Sequence, residues 1–212
     1  EDAGRTTADF RYAIQGFGNV GSWAARLLHE RGGKIVAVSD VDGAVRNPDG
    51  IDVPALQAWV KAHRTVTGFP GAEAMPGEAL LATECDVLVP AALGGVITKH
   101  TAAEIRARWI LEGANHPSDP DADEVLDKKG ITVLPDIYAN AGGVTVSYFE
   151  WVQNIQQFYW DEDKVEAELR RVMRKAWVDL RAAARQYACP LRTAAFALAM
   201  SRVLRATALR GV

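Results

Sequence analysis

Three glycines, at positions 16, 18 and 21, constrain this chain more than any other feature. They stand in the run Gly16-Phe17-Gly18-Asn19-Val20-Gly21, directly after the apolar stretch Tyr12-Ala13-Ile14-Gln15 and at the head of a segment with helical spacing. A strand that ends in such a turn and feeds a helix uses each glycine differently. Gly16 permits the tight turn, Gly18 lets a phosphate group approach the backbone, and Gly21 lets the helix lie close on the strand. The helix start offers unpaired N–H groups and the positive end of its dipole to an anion. Asp40 closes the next apolar run, about 20 residues past the last glycine, where an acid can hold the ribose hydroxyls of a dinucleotide. The competing reading is glycine packing at a strand–helix turn. Strand, helix and acid in register favour a dinucleotide site at Gly16, Phe17, Gly18, Asn19, Val20 and Asp40. A carboxylate repels a 2′-phosphate, so Asp40 points to NAD rather than NADP. Arg46, the first basic residue beyond it, has the reach to turn back and keeps NADP open.

The remaining chain repeats the alternation. The run Lys34-Ile35-Val36-Ala37-Val38-Ser39-Asp40 is a buried-strand pattern rich in β-branched residues. Asp52 can cap a helix running to about Arg64, with Pro54 tolerated in its first turn. A loop with Gly68, Pro70, Gly71, Pro76 and Gly77 follows. Strands are expected at 86–89, 109–112 and 131–134, with helices at 98–108 and 121–129 between them. Such alternation argues for a parallel sheet with helices on both faces. From about Ala141 no strand signal remains. Val165, Leu169, Val172, Met173, Ala176, Leu180 and Ala184 trace one stripe of a long helix, Pro190 breaks it, and an alanine-rich helix follows. The expected fold is therefore α/β: a Rossmann-like, doubly wound, mostly parallel sheet over residues 1–150, with an all-helical extension over 151–212.

Composition narrows the function classes. The chain of 212 residues carries 24 basic and 27 acidic side chains, a formal charge of −3. That gives no basic field for nucleic acid. No apolar run reaches the length of a membrane span, and the first residues show no signal-peptide pattern, so the expected location is cytoplasmic. Cys85 and Cys189 make neither a disulfide framework nor a metal set, and the four histidines are scattered. The segment 119–124 mimics the start of a calcium loop, but Glu124 stands where glycine is needed and Gly130 where the bidentate acid is needed. Helix capping is the better account of it, and no metal site is expected. The six tryptophans are read as core and interface anchors.

Four ordered motifs carry a resemblance: 13–21 around the glycine turn, Val89-Pro90-Ala91-Ala92-Leu93, Glu112-Gly113-Ala114-Asn115 and Ala139-Asn140-Ala141-Gly142-Gly143-Val144. The chain resembles the cofactor-binding domain of the glutamate/leucine/phenylalanine/valine dehydrogenase superfamily. The stretch Val144-Thr145-Val146-Ser147-Tyr148-Phe149-Glu150-Trp151 looks like its glutamate branch, and Pro190-Leu191-Arg192-Thr193-Ala194-Ala195 like its closing helix.

The resemblance implies roles. Ala91 and Ala92 are small enough for backbone to lie against the cofactor, and Asn115 and Asn140 offer amide donors and acceptors to the nicotinamide ribose and carboxamide. Gly142 and Gly143 would place backbone beside the ring. Taken singly, each asparagine also fits a turn and each glycine a helix start. Val144 and Ser147 match positions at the substrate's side-chain end, where a hydroxyl suits a γ-carboxylate; the alternative for Ser147 is a bond to its own helix backbone.

The implied reaction is oxidative deamination of L-glutamate, with hydride moved from Cα to nicotinamide C4 and an imine that water converts to 2-oxoglutarate and ammonia. The resemblance also implies an N-terminal domain carrying the catalytic lysine and aspartate, a domain against which the helical segment would pack, and a homo-oligomer, commonly a hexamer. This sequence holds no matching lysine motif, so no catalytic residue is expected in it, and the chain alone is expected to bind NAD without turnover. The rivals are the cofactor domain of a leucine, valine or phenylalanine dehydrogenase, a non-catalytic dinucleotide-sensing domain, and a different Rossmann enzyme. Asn140-Ala141-Gly142-Gly143 and the helical tail argue against the last.

Overall fold

Alternation along each strand decides which layer each side chain enters. In β1 (Arg11–Gln15), Tyr12 and Ile14 face one layer and Ala13 the other. In β2 (Lys34–Ser39) the alternation is interrupted: the pairing with β1 steps from Tyr12–Ile35 to Ala13–Ala37, so Ile35 and Val38 join the first layer and the adjacent Val36 and Ala37 both join the second. The first layer packs under α1 (Asn19–Glu30) and α2 (Val53–His63), through Ala25, Val53 and Leu56. The second packs under α3 (Lys99–Glu104), α4 (Pro120–Lys128) and a 3-10 turn at Gly77–Ala82, through Ala102, Leu126 and Leu80. This computed structural model describes residues 4–211.

Two further parallel strands, β5 (Val87–Pro90) and β6 (Trp109–Leu111), two antiparallel strands, β3 (Ala44–Arg46) and β4 (Glu73–Met75), and an edge strand, β7 (Thr132–Leu134), complete a seven-stranded sheet. Its order is β4-β3-β2-β1-β5-β6-β7. The fold is the expected mostly parallel, doubly wound α/β sheet. The chain runs outward from β1 to β2 and then returns to β5 on the other side of β1. That reversal opens a crevice at the carboxyl ends of β1 and β5, the place where such sheets bind ligands.

The chain divides into two compact units, Glu1–Val133 and Leu134–Val212. The second unit is helical: α5 (Asp136–Ala139), α6 (Ala141–Gln156), α7 (Glu162–Tyr187) and α8 (Leu191–Arg210). Asp161 caps α7 by accepting the Lys164 amide at 2.8 Å, and Ala188 ends it in the left-handed region. Leu180, Ala183, Ala194 and Ala195 form its core. Asp136 pairs with Arg192 at 3.6 Å, tying α5 to the start of α8.

Several expectations need correction. Strand β4 lies in the stretch read as a loop, and β3 lies where no strand was expected. Helix α3 ends at Glu104, not Arg108, because Lys129 Nζ takes the carbonyls of Ala102, Ala103 and Ile105 at 3.3, 2.6 and 2.7 Å. The Asp86 carbonyl then draws the amides of Arg108 and Trp109, both at 3.1 Å, into the sheet side of the chain. Asp119 occupies the N-cap position of α4, but its side chain makes no capping bond; Asp121 and Asp123 supply the first-turn charge. Of the tryptophans read as core and interface anchors, Trp23 and Trp151 are more than half exposed and so lie outside the core, which leaves them the interface part of that reading. Trp23 lies under the Arg26 guanidinium, and Trp151 stacks on Tyr148.

Candidate functional site

The glycine turn separates into three different local environments. Gly16 has φ +93, and a Cβ there would stand 2.8 Å from Ala92 Cβ and 3.0 Å from the Ala91 carbonyl oxygen. Its amide donates to the Ser39 carbonyl at 2.9 Å, which joins the turn to the end of β2. A Cβ on Gly21 would stand 1.8 Å from the Gly16 carbonyl oxygen, so the first turn of α1 rests directly on the glycine backbone. Gly18 differs: a Cβ there would meet nothing within 4 Å. It is exposed, stands at the N-cap of α1 and contributes no side-chain cap. The first intrahelical bond runs from the Ser22 amide to the Gly18 carbonyl, at 2.9 Å. The amides of residues 18–21 therefore have no partner further back in the helix. An open backbone edge beside a helix start suits a phosphate group.

Around this turn the first unit gathers most of the candidate residues. Asn19 is exposed and Val20 half-exposed, whereas Phe17 is buried among Tyr12, Ile14 and Val89 and has only its backbone to offer the crevice. The Ala91 amide donates to the Gln15 carbonyl at 2.8 Å, which puts Ala91 and Ala92 against the turn. A Cβ on Gly113 would lie 3.4 Å from both the Pro90 oxygen and Val20 Cγ1, so the segment after β6 also closes on the turn. Asn115 sits exposed at the tip of that segment.

Asp40, half-buried, directly follows Ser39. Its Oδ1 accepts the Asp42 amide at 2.9 Å and its Oδ2 the Val66 amide at 2.6 Å. These bonds fix the carboxylate and leave further lone pairs on both oxygens for hydroxyl donors. Arg46 does not turn back toward it. Its Nε lies 3.3 Å from Glu73 Oε2, across the β3–β4 pair.

The second unit carries the other candidates. Asn140 joins α5 to α6 and makes no side-chain cap, and its backbone amide donates to the Asp136 carbonyl at 3.1 Å. Val144 and Ser147 lie exposed on α6, three residues apart and so on one face. Thr145, not Ser147, makes the bond back to its own helix, donating to the Ala141 carbonyl at 2.8 Å. Gly143 lies in the first turn of α6, and a Cβ there would meet nothing within 4 Å, so packing within the chain does not require glycine.

Sequence reading passed over Glu112 as a functional side chain, although it stands in one of the quoted motifs. It is wholly buried and accepts the Ser118 hydroxyl at 2.6 Å. An acid at the end of a buried strand was the available signal. Burial pushes the Cys85 thiol up to about 12, so it is no nucleophile at neutral pH. Among the described residues no helix is long and apolar enough to cross a membrane.

Comparison with known proteins follows the same lines. The family model for glutamate/leucine/phenylalanine/valine dehydrogenase matches residues 1–211. A glutamate dehydrogenase of Thermotoga maritima is 50% identical over 201 residues, covering 94% of this chain and 48% of that protein. Among solved structures, the hetero-hexameric glutamate dehydrogenase of Thermus thermophilus, in its leucine-bound form, matches with a TM-score of 0.93 at 31% identity, over 100% of this chain and 50% of that one. The glutamate dehydrogenase of Peptoniphilus asaccharolyticus matches with a TM-score of 0.80 at 37% identity, over 95% of this chain and 47% of that one. The chain spans about half the length of the curated relative it matches.

Proposed function

The chain belongs to the glutamate/leucine/phenylalanine/valine dehydrogenase family, and on that premise we propose that it is the NAD-binding part of a glutamate dehydrogenase. The observation that carries the cofactor assignment is the contrast within the glycine turn. Gly16 and Gly21 are required by the packing of the chain, and Gly18 is not. An unforced glycine, left open at a helix start on the switch point of a doubly wound sheet, fits a site where a pyrophosphate meets backbone.

In this reading the amides of residues 18–21 bind the pyrophosphate, and Asp40 accepts the hydroxyls of the adenosine ribose. The two backbone amides on the Asp40 carboxylate hold it in place before the ligand arrives. Arg46, the first basic residue after Asp40 in the sequence, is paired with Glu73, which supports NAD over NADP. Asn115 and Asn140 orient the nicotinamide half, with Ala91 and Ala92 keeping the approach clear. When bound, the nicotinamide supplies the hydride acceptor for oxidation at an amino-acid Cα. Ser147 donates to the substrate γ-carboxylate beside the aliphatic wall of Val144; its hydroxyl has no hydrogen-bond partner among the described residues, which supports that role over a helix back-bond. No side chain of this sequence matches the family's catalytic lysine, so its share of the reaction is to bind and orient the cofactor.

The test is equilibrium titration of the intact protein with NAD and NADP, followed by oxidation assays on L-glutamate, L-leucine, L-valine and L-phenylalanine. Asp40→Asn keeps an amide acceptor and removes the charge. It is expected to shrink the preference for NAD over NADP by about tenfold. An unchanged ratio refutes the reading of Asp40. Faster oxidation of L-leucine than of L-glutamate moves the protein to the aliphatic branch; binding without oxidation of any amino acid is expected of this chain by itself, and favours a sensing role only if it persists when the lysine-bearing domain is present.

A further inference from the structure

Among the described residues, the buried polar or charged side chains are Ser39, Glu112 and Ser118, at 3%, 0% and 3% exposure. All three lie at the carboxyl edge of the sheet: Ser39 ends β2, Glu112 follows β6, and Ser118 is six residues further on. The Ser39 backbone receives the Gly16 amide, which accounts for its position. Glu112 needs its own account. A carboxyl group wholly removed from water is costly unless hydrogen-bonded, and a leucine would fill a core position at no such cost. Its Oε1 receives the Ser118 hydroxyl at 2.6 Å, a short bond.

That bond spans the segment that carries Asn115. The rest of the segment is fastened from the β5 side. The Pro90 carbonyl accepts the amides of Gly113 and Ala114, at 3.0 and 2.9 Å. The Gly95 amide donates to the His116 carbonyl at 2.9 Å, and the Ile97 amide to that of Pro117 at 2.8 Å. Between these ties His116 sits at φ +48, a conformation that a side-chain-bearing residue keeps only when its surroundings over-determine it. Asn115, the neighbouring residue, is exposed. The segment is thus a preformed bracket whose two feet, residues 112 and 118, are joined by one buried hydrogen bond.

We propose that Glu112 is a positioning residue: through Ser118 it fixes the bracket that presents Asn115 to the nicotinamide half of the cofactor. This rests on the cofactor reading above. It predicts a defect confined to that half. Titration of the intact protein with NAD and, separately, with AMP tests it. AMP carries the groups read by Asp40 but none read by Asn115. Ser118→Ala is expected to weaken NAD about tenfold, the scale of losing one hydrogen bond to a charged group. AMP affinity is expected to stay within about twofold. Glu112→Asp, which keeps the charge but shortens the reach, is expected to give the same split, and Glu112→Gln, which keeps an acceptor for Ser118, to bind NAD nearly as wild type. In the ligand-free protein, the Gly113 and Ala114 amides are expected to exchange with solvent faster in Ser118→Ala than in wild type. Equal loss of NAD and AMP in the folded variants makes the bond a general stabiliser and overturns the proposal, as does unchanged NAD affinity. Wild-type protein that binds neither ligand removes the cofactor reading itself, and this inference with it.

Discussion

Alanine at Gly18 and alanine at Gly21 should have opposite consequences, because one glycine is open and the other is packed. At Gly21 the added Cβ would lie 1.8 Å from the Gly16 oxygen and 2.8 Å from the Gly16 carbonyl carbon. Both are backbone atoms, so no rotamer change relieves the clash. A normal carbon–oxygen contact requires the first turn of α1 to lift by more than 1 Å, roughly. That lift disturbs the apolar layer beneath α1, where Ala25 is fully buried. Overpacking against a fixed backbone costs ~3 kcal/mol or more, equivalent to a fall of about 6–12 °C in Tm for a chain of this size.

At Gly18 the same methyl meets nothing, and φ −77 with ψ −156 is a conformation that alanine adopts. The folding cost there is limited to the poorer N-cap, about 0.5–1 kcal/mol. If backbone at Gly18 meets a pyrophosphate, the methyl stands in the ligand's path, and NAD affinity should fall by about tenfold or more. The assay is paired: urea unfolding for stability and calorimetric titration with NAD for binding. The expected pattern is a stable Gly18→Ala variant that binds poorly, beside a destabilised Gly21→Ala variant. A Gly18→Ala variant that binds NAD like wild type refutes the reasoning and returns the turn to packing alone.

Lys129→Met should cost ~1–2 kcal/mol, because the last carbonyls of α3 lose a charged donor but can partly turn to water; urea unfolding reads the loss, and faster exchange of the last α3 amides locates it. An unchanged midpoint would mean that water caps α3 equally well. Cys85 gives a pH prediction. Its thiol is raised by burial from an ordinary 9.0 to about 12. The folded chain therefore keeps a proton that the unfolded chain releases, so stability is intact below pH 9 and falls as pH rises toward 12. Complete loss corresponds to ~4 kcal/mol. Unfolding midpoints measured from pH 8 to 11 should fall less steeply in Cys85→Ala, and a parallel decline would refute the assignment.

What the sequence disclosed, and what it hid, divides by the range of the interactions. The glycine turn was legible because the positive φ of Gly16, the open Gly18 and the packing of Gly21 on Gly16 all lie within a few residues of chain, whereas the contact of Gly16 with Ala91 and Ala92 does not. The start of α2 was legible for the same reason: Asp52 Oδ1 accepts the Ala55 amide at 3.0 Å, a bond inside one helical turn. Strands β3 and β4 were not, since three residues are too few to show a period of two. Their pairing joins Ala44 to Met75 across thirty-one positions in the chain. The end of α3 was hidden similarly, because the ammonium that stops it stands 24 residues beyond Ile105.

Glu112 shows why one functional layer of this fold escapes sequence reading. An acid at the end of a strand has two readings in a doubly wound sheet: a ligand-binding carboxylate, as proposed for Asp40, or a surface charge. The structure presents a third, a buried acid spanning a loop to a serine six residues away. No helical or strand period links positions 112 and 118, so pattern cannot pair them. Physical cost can. A wholly buried carboxyl at the crevice edge stands where a leucine would cost less, and the proposed positioning role accounts for that cost by what its hydrogen bond holds in register. Here the segment held is the one with His116 in the left-handed region and Asn115 at its tip. Strain at one residue and burial of another's carboxyl are two costs borne by the same seven-residue stretch, and both are explained if that stretch must present Asn115 in a fixed orientation.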